Sequence, residues 1–381
     1  MFLPLKSIAL CLVAVVVIVV IPNHALALFK GPDEEEMGRK ADEQIVHAYG
    51  LYDDKKLQAY VRKVGKRVLS EVVEPQYEYH FKLMDDSMVN AFALPGGYIY
   101  VTRGLLAVLN SEAALAGVIG HEIGHVIGHH AVKRMRKSIG QTLLALGGLV
   151  ASKDIRANAG AWLTITTSLS QQILLGYGRA METESDQQGM ILTHEAGYDP
   201  QGIVNFLRSL RALEKLGGRG YHGFQATHPE TILRIIEADG KAGILSERGK
   251  DYQFYRDRYL DMIEGLRYGR PKWHGKTLPP YKIHIYKVKQ GDTFRSIARD
   301  VSGNQALALE IATLNAMDHN DPLTPGMRIK TLVEEKSSNR ILEKKHKKEK
   351  KDEVSAGTGD GKVGKTGRRE KTDKKSEGSD R

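Results

Sequence analysis

The stretch HEIGHVIGHH, residues 121–130, sets four histidines and one glutamate in a run with helical spacing. No other stretch limits the fold so tightly, because such a helix must present its polar atoms to something. Asn110 and Ser111 form an N-cap candidate, so the sequence predicts one long helix over roughly residues 110–137. An α-helix repeats about every 3.6 residues, which puts His121 and His125 one turn apart on one face. Both imidazoles can then reach one zinc ion, with Glu122 about 100° round and able to face a water there. Zinc brings the pKa of such a water to about 7, and a carboxylate can take its proton as attack on a carbonyl begins. On the same helix His129 falls too far along to share the ion, and His130 falls near the opposite face as a packing residue.

Hydrolytic zinc sites usually take a third protein ligand. The candidate is RAMETESD, residues 179–186, where Glu182 and Asp186 share a helical face. Glu182 is then the third ligand, and Asp186 orients a ligand histidine from behind. Glu184 faces elsewhere, toward solvent. Thiolates are excluded as ligands in the mature chain, because the single cysteine, Cys11, lies in the leading segment. That segment has one lysine, an apolar run from Ile8 to Ile21, and then Ala25-Leu26-Ala27. This is the order of a secretory signal peptide cleaved after Ala27, the alternative being an uncleaved inner-membrane anchor. Leu10 is too large for the position before a lipidated cysteine.

Between the ends the chain divides by pattern. Helical periodicity dominates from Leu28 to Gly240, interrupted by YHFKLM and YIYVTR, which read as two strands around a bend. Two apolar stretches, Ile139–Ala151 and Ala161–Leu175, read as a buried helical hairpin, with a membrane-touching surface as the alternative. A Gly- and Pro-rich segment marks a linker at 268–282, followed by a strand–helix–helix–strand module at 283–333. The tail from 334 to 381 lacks aromatic residues and carries 16 Lys and Arg against 11 Asp and Glu. It cannot bury enough apolar surface to order itself. Since it supplies half of the chain's net charge of +10, the basic balance is no argument for nucleic acid, and none is expected as a partner.

NAFALPGGYIYVTRGLL, HEIGHV..HH and RAMETESD stand here in the order and spacing of a known family. Residues 28–267 resemble the gluzincin metallopeptidases related to the CAAX prenyl proteases and HtpX. The nearest branch is that of soluble periplasmic proteases of the β-barrel assembly-enhancing type. The resemblance implies His121, His125 and Glu182 as zinc ligands, one ion per chain, with Glu122 as general base and Asp186 behind the ligands. It also implies a role for Arg179 in holding the acidic helix or approaching substrate. His228, in THP, would stabilise the oxyanion or occupy the open metal position in a latent state. The strand through Gly97, Tyr98, Ile99 and Tyr100 would be the active-site edge that pairs with an extended peptide. Two departures are His129, where the family usually has arginine, and the lack of TPR-like repeats after the protease.

YKVKQGDTFRSIARDV, EIATLNAMD and LTPGMRIK similarly resemble a LysM domain, which implies binding to N-acetylglucosamine glycans of peptidoglycan, or else a spacer. The fold class expected is mainly α (α+β): a zincin-type helical domain with a small active-site sheet, plus a βααβ module. The function expected is a periplasmic zinc endopeptidase acting on misfolded or misassembled envelope proteins, with peripheral membrane contact as an additional expectation. The competing readings are a peptidoglycan-acting metallohydrolase and a non-catalytic chaperone or scaffold for outer-membrane assembly.

Overall fold

Two small sheets and a set of helices surround the His-rich helix in the computed structural model, which describes residues 33–137, 176–215, 222–229, 232–247, 252–269 and 281–334. The signal segment, both apolar stretches at 139–151 and 161–175, and the tail beyond 334 lie outside these residues. Among the described residues no helix is long and apolar enough to cross a membrane.

Helices α1 (Glu34–Tyr49) and α2 (Lys55–Leu69) come first, their first turns capped by Asp33 and Asp54. Strands β1 (His80–Met84), β2 (Ala91–Leu94) and β3 (Tyr98–Thr102) form the first sheet, in the order β1-β3-β2. The two strands read from the sequence are therefore neighbours, with β2 between them in the chain. They pair in parallel, His80 with Tyr98 through Met84 with Thr102. The hairpin partner of β3 is β2, whose four residues are all buried and so carry no alternating pattern to read. The edge assignment of Gly97–Tyr100 is corrected by this order. Strand β3 is central and bonded on both sides, so no peptide can add to it.

After the short α3 (Arg103–Val108) comes α4 (Glu112–Ile127), with Ser111 Oγ accepting from Ala114 N as N-cap. Every residue of α4 from Glu112 to Val126 is buried, so this helix is the centre of the core. The expected single helix stops here: Gly128 caps α4, His129 takes a left-handed φ of 51°, and helix resumes at 130. Helix α5 (Arg179–Glu195) lies across α4 at very short range. A Cβ on Gly120 would sit 2.7 Å from Gly189 O, and one on Gly189 would sit 2.5 Å from Gly120 C. Glycine at both positions permits that approach, and the approach brings Glu182 to the histidines. Helices α6 (Gln201–Lys215), α7 (His222–Thr227) and α8 (Ile232–Ser246) close the far side.

Helix α9 (Arg256–Ile263) leads into β4 (Arg267–Tyr268), β5 (Tyr281–Lys287), α10 (Phe294–Ser302), α11 (Ala308–Leu314) and β6 (Arg328–Glu334). The strand–helix–helix–strand order is as expected. The linker assignment is corrected at both ends, since Tyr268 and Tyr281 pair across the sheet β4-β5-β6. This module shares one hydrophobic cluster with the helical domain. Lys330 on β6 is buried there, and its Nζ donates to the carbonyls of Ala107, Val108 and Leu109 at 2.8, 3.2 and 2.9 Å. Those carbonyls lie at the end of α3, just before the cap of α4, and Val108 O accepts from Asn110 Nδ2 as well.

Candidate metal centre

Four side chains from three elements meet beneath α4. His121 and His125 come from α4, Glu182 from the first turn of α5, and His228 from the end of α7. All four are buried, and one donor atom from each lies within 4.8 Å of all the others. His121 Nε2 is 3.0 Å from His125 Nε2 and 3.2 Å from His228 Nδ1. Glu182 Oε1 lies 3.1 Å from His228 Nδ1 and 3.4 Å from His125 Nε2.

The groups behind these donors fix their orientation. Asp186 Oδ1 accepts from His121 Nδ1 at 2.8 Å, which leaves the Nε2 lone pair of His121 facing the cluster. His125 turns its Nδ1 toward His130 Nδ1 at 2.8 Å, while His130 Nε2 lies 3.3 Å from Glu184 Oε2. His130 thus backs a candidate ligand instead of packing on the opposite face. The break at Gly128 and His129 rotates it there. His129 lies apart from the cluster, 3.0 Å from Glu34 Oε1 at the start of α1.

Glu122 is wholly buried, and neither carboxylate oxygen has a hydrogen-bond donor. Burial pushes its pKa up, against the pull of His228 and His121. His228 Nε2, also without a hydrogen-bond partner, is 3.4 Å from Glu122 Oε1. Burial lowers the pKa of His125, so its imidazole is neutral. For His228 burial is outweighed by Glu182 and Glu122, which raise it. Burial also opposes ionisation of Glu182, yet His228, His125 and His121 hold its carboxyl well below the usual range. Three imidazole nitrogens and one carboxylate, with no thiolate, suit zinc among the common divalent metals. A buried carboxylate without a donor beside them has the character of a base waiting for a proton.

Some residues were not visible in the sequence. Arg234, six positions after His228, is buried and ion-paired to both Glu182 and Asp186. It performs the holding role that the resemblance gave to Arg179. Arg179 is exposed at the first position of α5 and lines a surface groove with Thr183, Gln187 and Glu237. Tyr177 stacks on His125 with ring centroids 4.0 Å apart. The signals were faint: an arginine one and a half turns beyond a THP, and an aromatic residue two positions before Arg179.

A helix with an HExxH pair, an acidic second helix crossing it and a small sheet alongside define a domain of the metallopeptidase class. Residues 55–242 match Peptidase family M48, and residues 286–331 match the LysM domain. The chain therefore carries a peptidase family M48 domain followed by a LysM domain. It is 27% identical over 242 residues to the β-barrel assembly-enhancing protease of Escherichia coli (strain K12), covering 61% of this chain and 50% of that protein. The protein of the same name from Yersinia pestis is 27% identical over 292 residues, 71% of this chain and 60% of that one. The mitochondrial metalloendopeptidase OMA1 of Schizosaccharomyces pombe is 28% identical over 208 residues, 53% of this chain and 59% of its own length. The chain thus spans about half to three fifths of the length of these relatives.

Proposed function

We propose that this protein is a zinc-dependent endopeptidase of the bacterial cell envelope that cleaves misfolded or misassembled envelope proteins. The observation that carries the reading is the meeting of His121, His125, Glu182 and His228 in the core beside the donorless carboxylate of Glu122. The names of the relatives, a β-barrel assembly-enhancing protease and a mitochondrial metalloendopeptidase, support the class of activity and the envelope setting.

His121, His125 and Glu182 would hold the metal. Bound zinc would supply a Lewis acid that polarises the scissile carbonyl and acidifies water. Glu122 accepts the proton of the attacking water at a carboxylate oxygen and passes it to the leaving amine. Its burial favours this, since a raised pKa makes a stronger base. Asp186 keeps the Nδ1 proton of His121 in place, so the opposite nitrogen stays available. His228 serves as a fourth donor that keeps the resting site closed. In support, His228 is fully buried and offers a donor atom within 4.8 Å of those of His121, His125 and Glu182. When substrate displaces it, His228 is placed to donate to the oxyanion. The substrate backbone pairs with the outer edge of β2, Ala91–Leu94, the sheet edge packed nearest α4. Export by a signal sequence ending at Ala27 would place the enzyme in the periplasm, with the LysM domain on peptidoglycan.

The test is metal analysis and proteolysis on the purified mature chain. About one zinc per chain and cleavage of an unfolded protein are expected, with Glu122→Gln retaining metal and losing cleavage. Cleavage that survives Glu122→Gln overturns the mechanism. Release of muropeptides from sacculi with unfolded protein left intact would instead favour a wall hydrolase.

A further inference from the structure

Arg234 reaches the centre at four groups: Asp186, Glu182 and the carbonyls of His228 and Pro229. Its Nε and Nη2 donate to Asp186 Oδ2 and Oδ1 at 2.8 and 2.9 Å, a two-point grip that fixes the guanidinium plane. Nη1 then lies 2.8 Å from Glu182 Oε2 and donates to Pro229 O at 3.0 Å, with His228 O at 3.5 Å. One rigid group therefore joins the carboxylate in the cluster, the carboxylate behind His121, and the backbone that carries His228.

We propose that Arg234 is a positioning residue that locks His228 into the donor set, acting through the carbonyls of His228 and Pro229. The proposal rests on the metal-site reading above. The argument is one of shared donors. If the His228 segment swings away, Nη1 loses both carbonyl acceptors while Asp186 still pins the guanidinium in a buried position. Loss of those two carbonyls by a buried guanidinium, even with Glu182 still beside Nη1, is unfavourable, so the grip on Asp186 holds the segment inward. Lysine cannot replace this. A single ammonium keeps the charge but cannot hold a planar fork on Asp186 and also reach the carbonyls. An ion pair that merely neutralised Glu182 and Asp186 would need only the charge, and Arg234→Lys separates the two roles.

The experiment loads the full chain with cobalt(II), whose visible absorption is intense when tetrahedral and weak at higher coordination number. Wild type should take up one ion with an intense band, and His228→Ala should weaken the band. Arg234→Lys should give the weakened band as well, and should lose metal to a chelator about 10- to 100-fold more readily. Adding Arg234→Lys to His228→Ala should change the spectrum no further, because both act on one donor. Should Arg234→Lys not fold by circular dichroism, Arg234→Gln is read in the same two assays. An arginine variant with the wild-type band and wild-type retention overturns the lock. A wild-type chain that binds no cobalt overturns the metal-site reading itself.

Discussion

Asp186 carries a charge that the metal-free protein depends on. Burial opposes its ionisation, but His121 and Arg234 outweigh that and hold its pKa down to about 2, below the roughly 3.9 of a free aspartate. A carboxyl depressed in the folded state contributes stability above its unfolded pKa and loses it as pH falls through the folded one. The contribution is on the order of 2 kcal/mol, complete above about pH 5 and gone below about pH 2. Asp186→Asn should therefore be less stable than wild type in urea at pH 7, with the gap narrowing as the metal-free proteins approach pH 2. A gap that stays constant with pH would show that the carboxyl is not held down. At this scale the pairs His121/His125 and Glu182/Asp186 were readable because helical spacing puts each pair on one face, with Glu122 about 100° round from His121. Arg234 and His130 were not. Arg234 reaches the site across a tertiary contact, and His130 reaches it only because the helix breaks at His129. His130→Ala should then loosen metal retention by about 10-fold in chelator competition, since it backs His125 as Asp186 backs His121. Unchanged retention would return His130 to a packing role.

The helices matter through how closely they pass. Gly120 on α4 faces Gly189 on α5, and a methyl at Gly120 would also meet Thr193 Oγ1 at 2.7 Å. Gly120→Ala should separate the two helices, cost about 1–3 kcal/mol by overpacking, and weaken metal binding by pulling Glu182 from the histidines. Gly240, on α8, is the internal control. Nothing lies within 4 Å of a Cβ there, so Gly240→Ala should stabilise by about 0.4–1 kcal/mol and leave metal binding unchanged. Equal effects in thermal melts and metal titrations would refute the close-approach argument. The sequence shows helices of the right type but not how near two of them come. It likewise shows strand residues but not which strand is central. Ala91–Leu94, short, apolar and wholly buried, has no period to mark it, and its insertion beside β3 is what moves the sheet edge.

Across the whole molecule the Gly- and Pro-rich segment reads as a break between two bodies, and composition offers nothing against that. The contacts that contradict it belong to single residues. Arg103 on α3 donates to the carbonyls of Arg267 and Gly269, and Arg328 on β6 is ion-paired with Asp257 and Asp261 on α9. Arg258 on α9 in turn is paired with Glu112 in the first turn of α4, which also accepts from Tyr60 and Tyr198. Lys330 completes the junction: its Nζ donates to three carbonyls at a helix C-terminus, although burial and the nearby Arg256 push its pKa well down. The LysM domain is thereby part of what holds the start of the metal-bearing helix. Lys330→Met keeps much of the side-chain volume but takes the side-chain donor from the carbonyls of Ala107 and Leu109, while Val108 O keeps Asn110 Nδ2, for a loss on the order of 2–3 kcal/mol. Calorimetry of the wild-type chain should show one cooperative transition for both domains, shifted down as a whole by Lys330→Met. Two separate transitions, with only the smaller one moved by the substitution, would mean that the LysM domain folds independently and that Lys330 does not tie it to the metal centre.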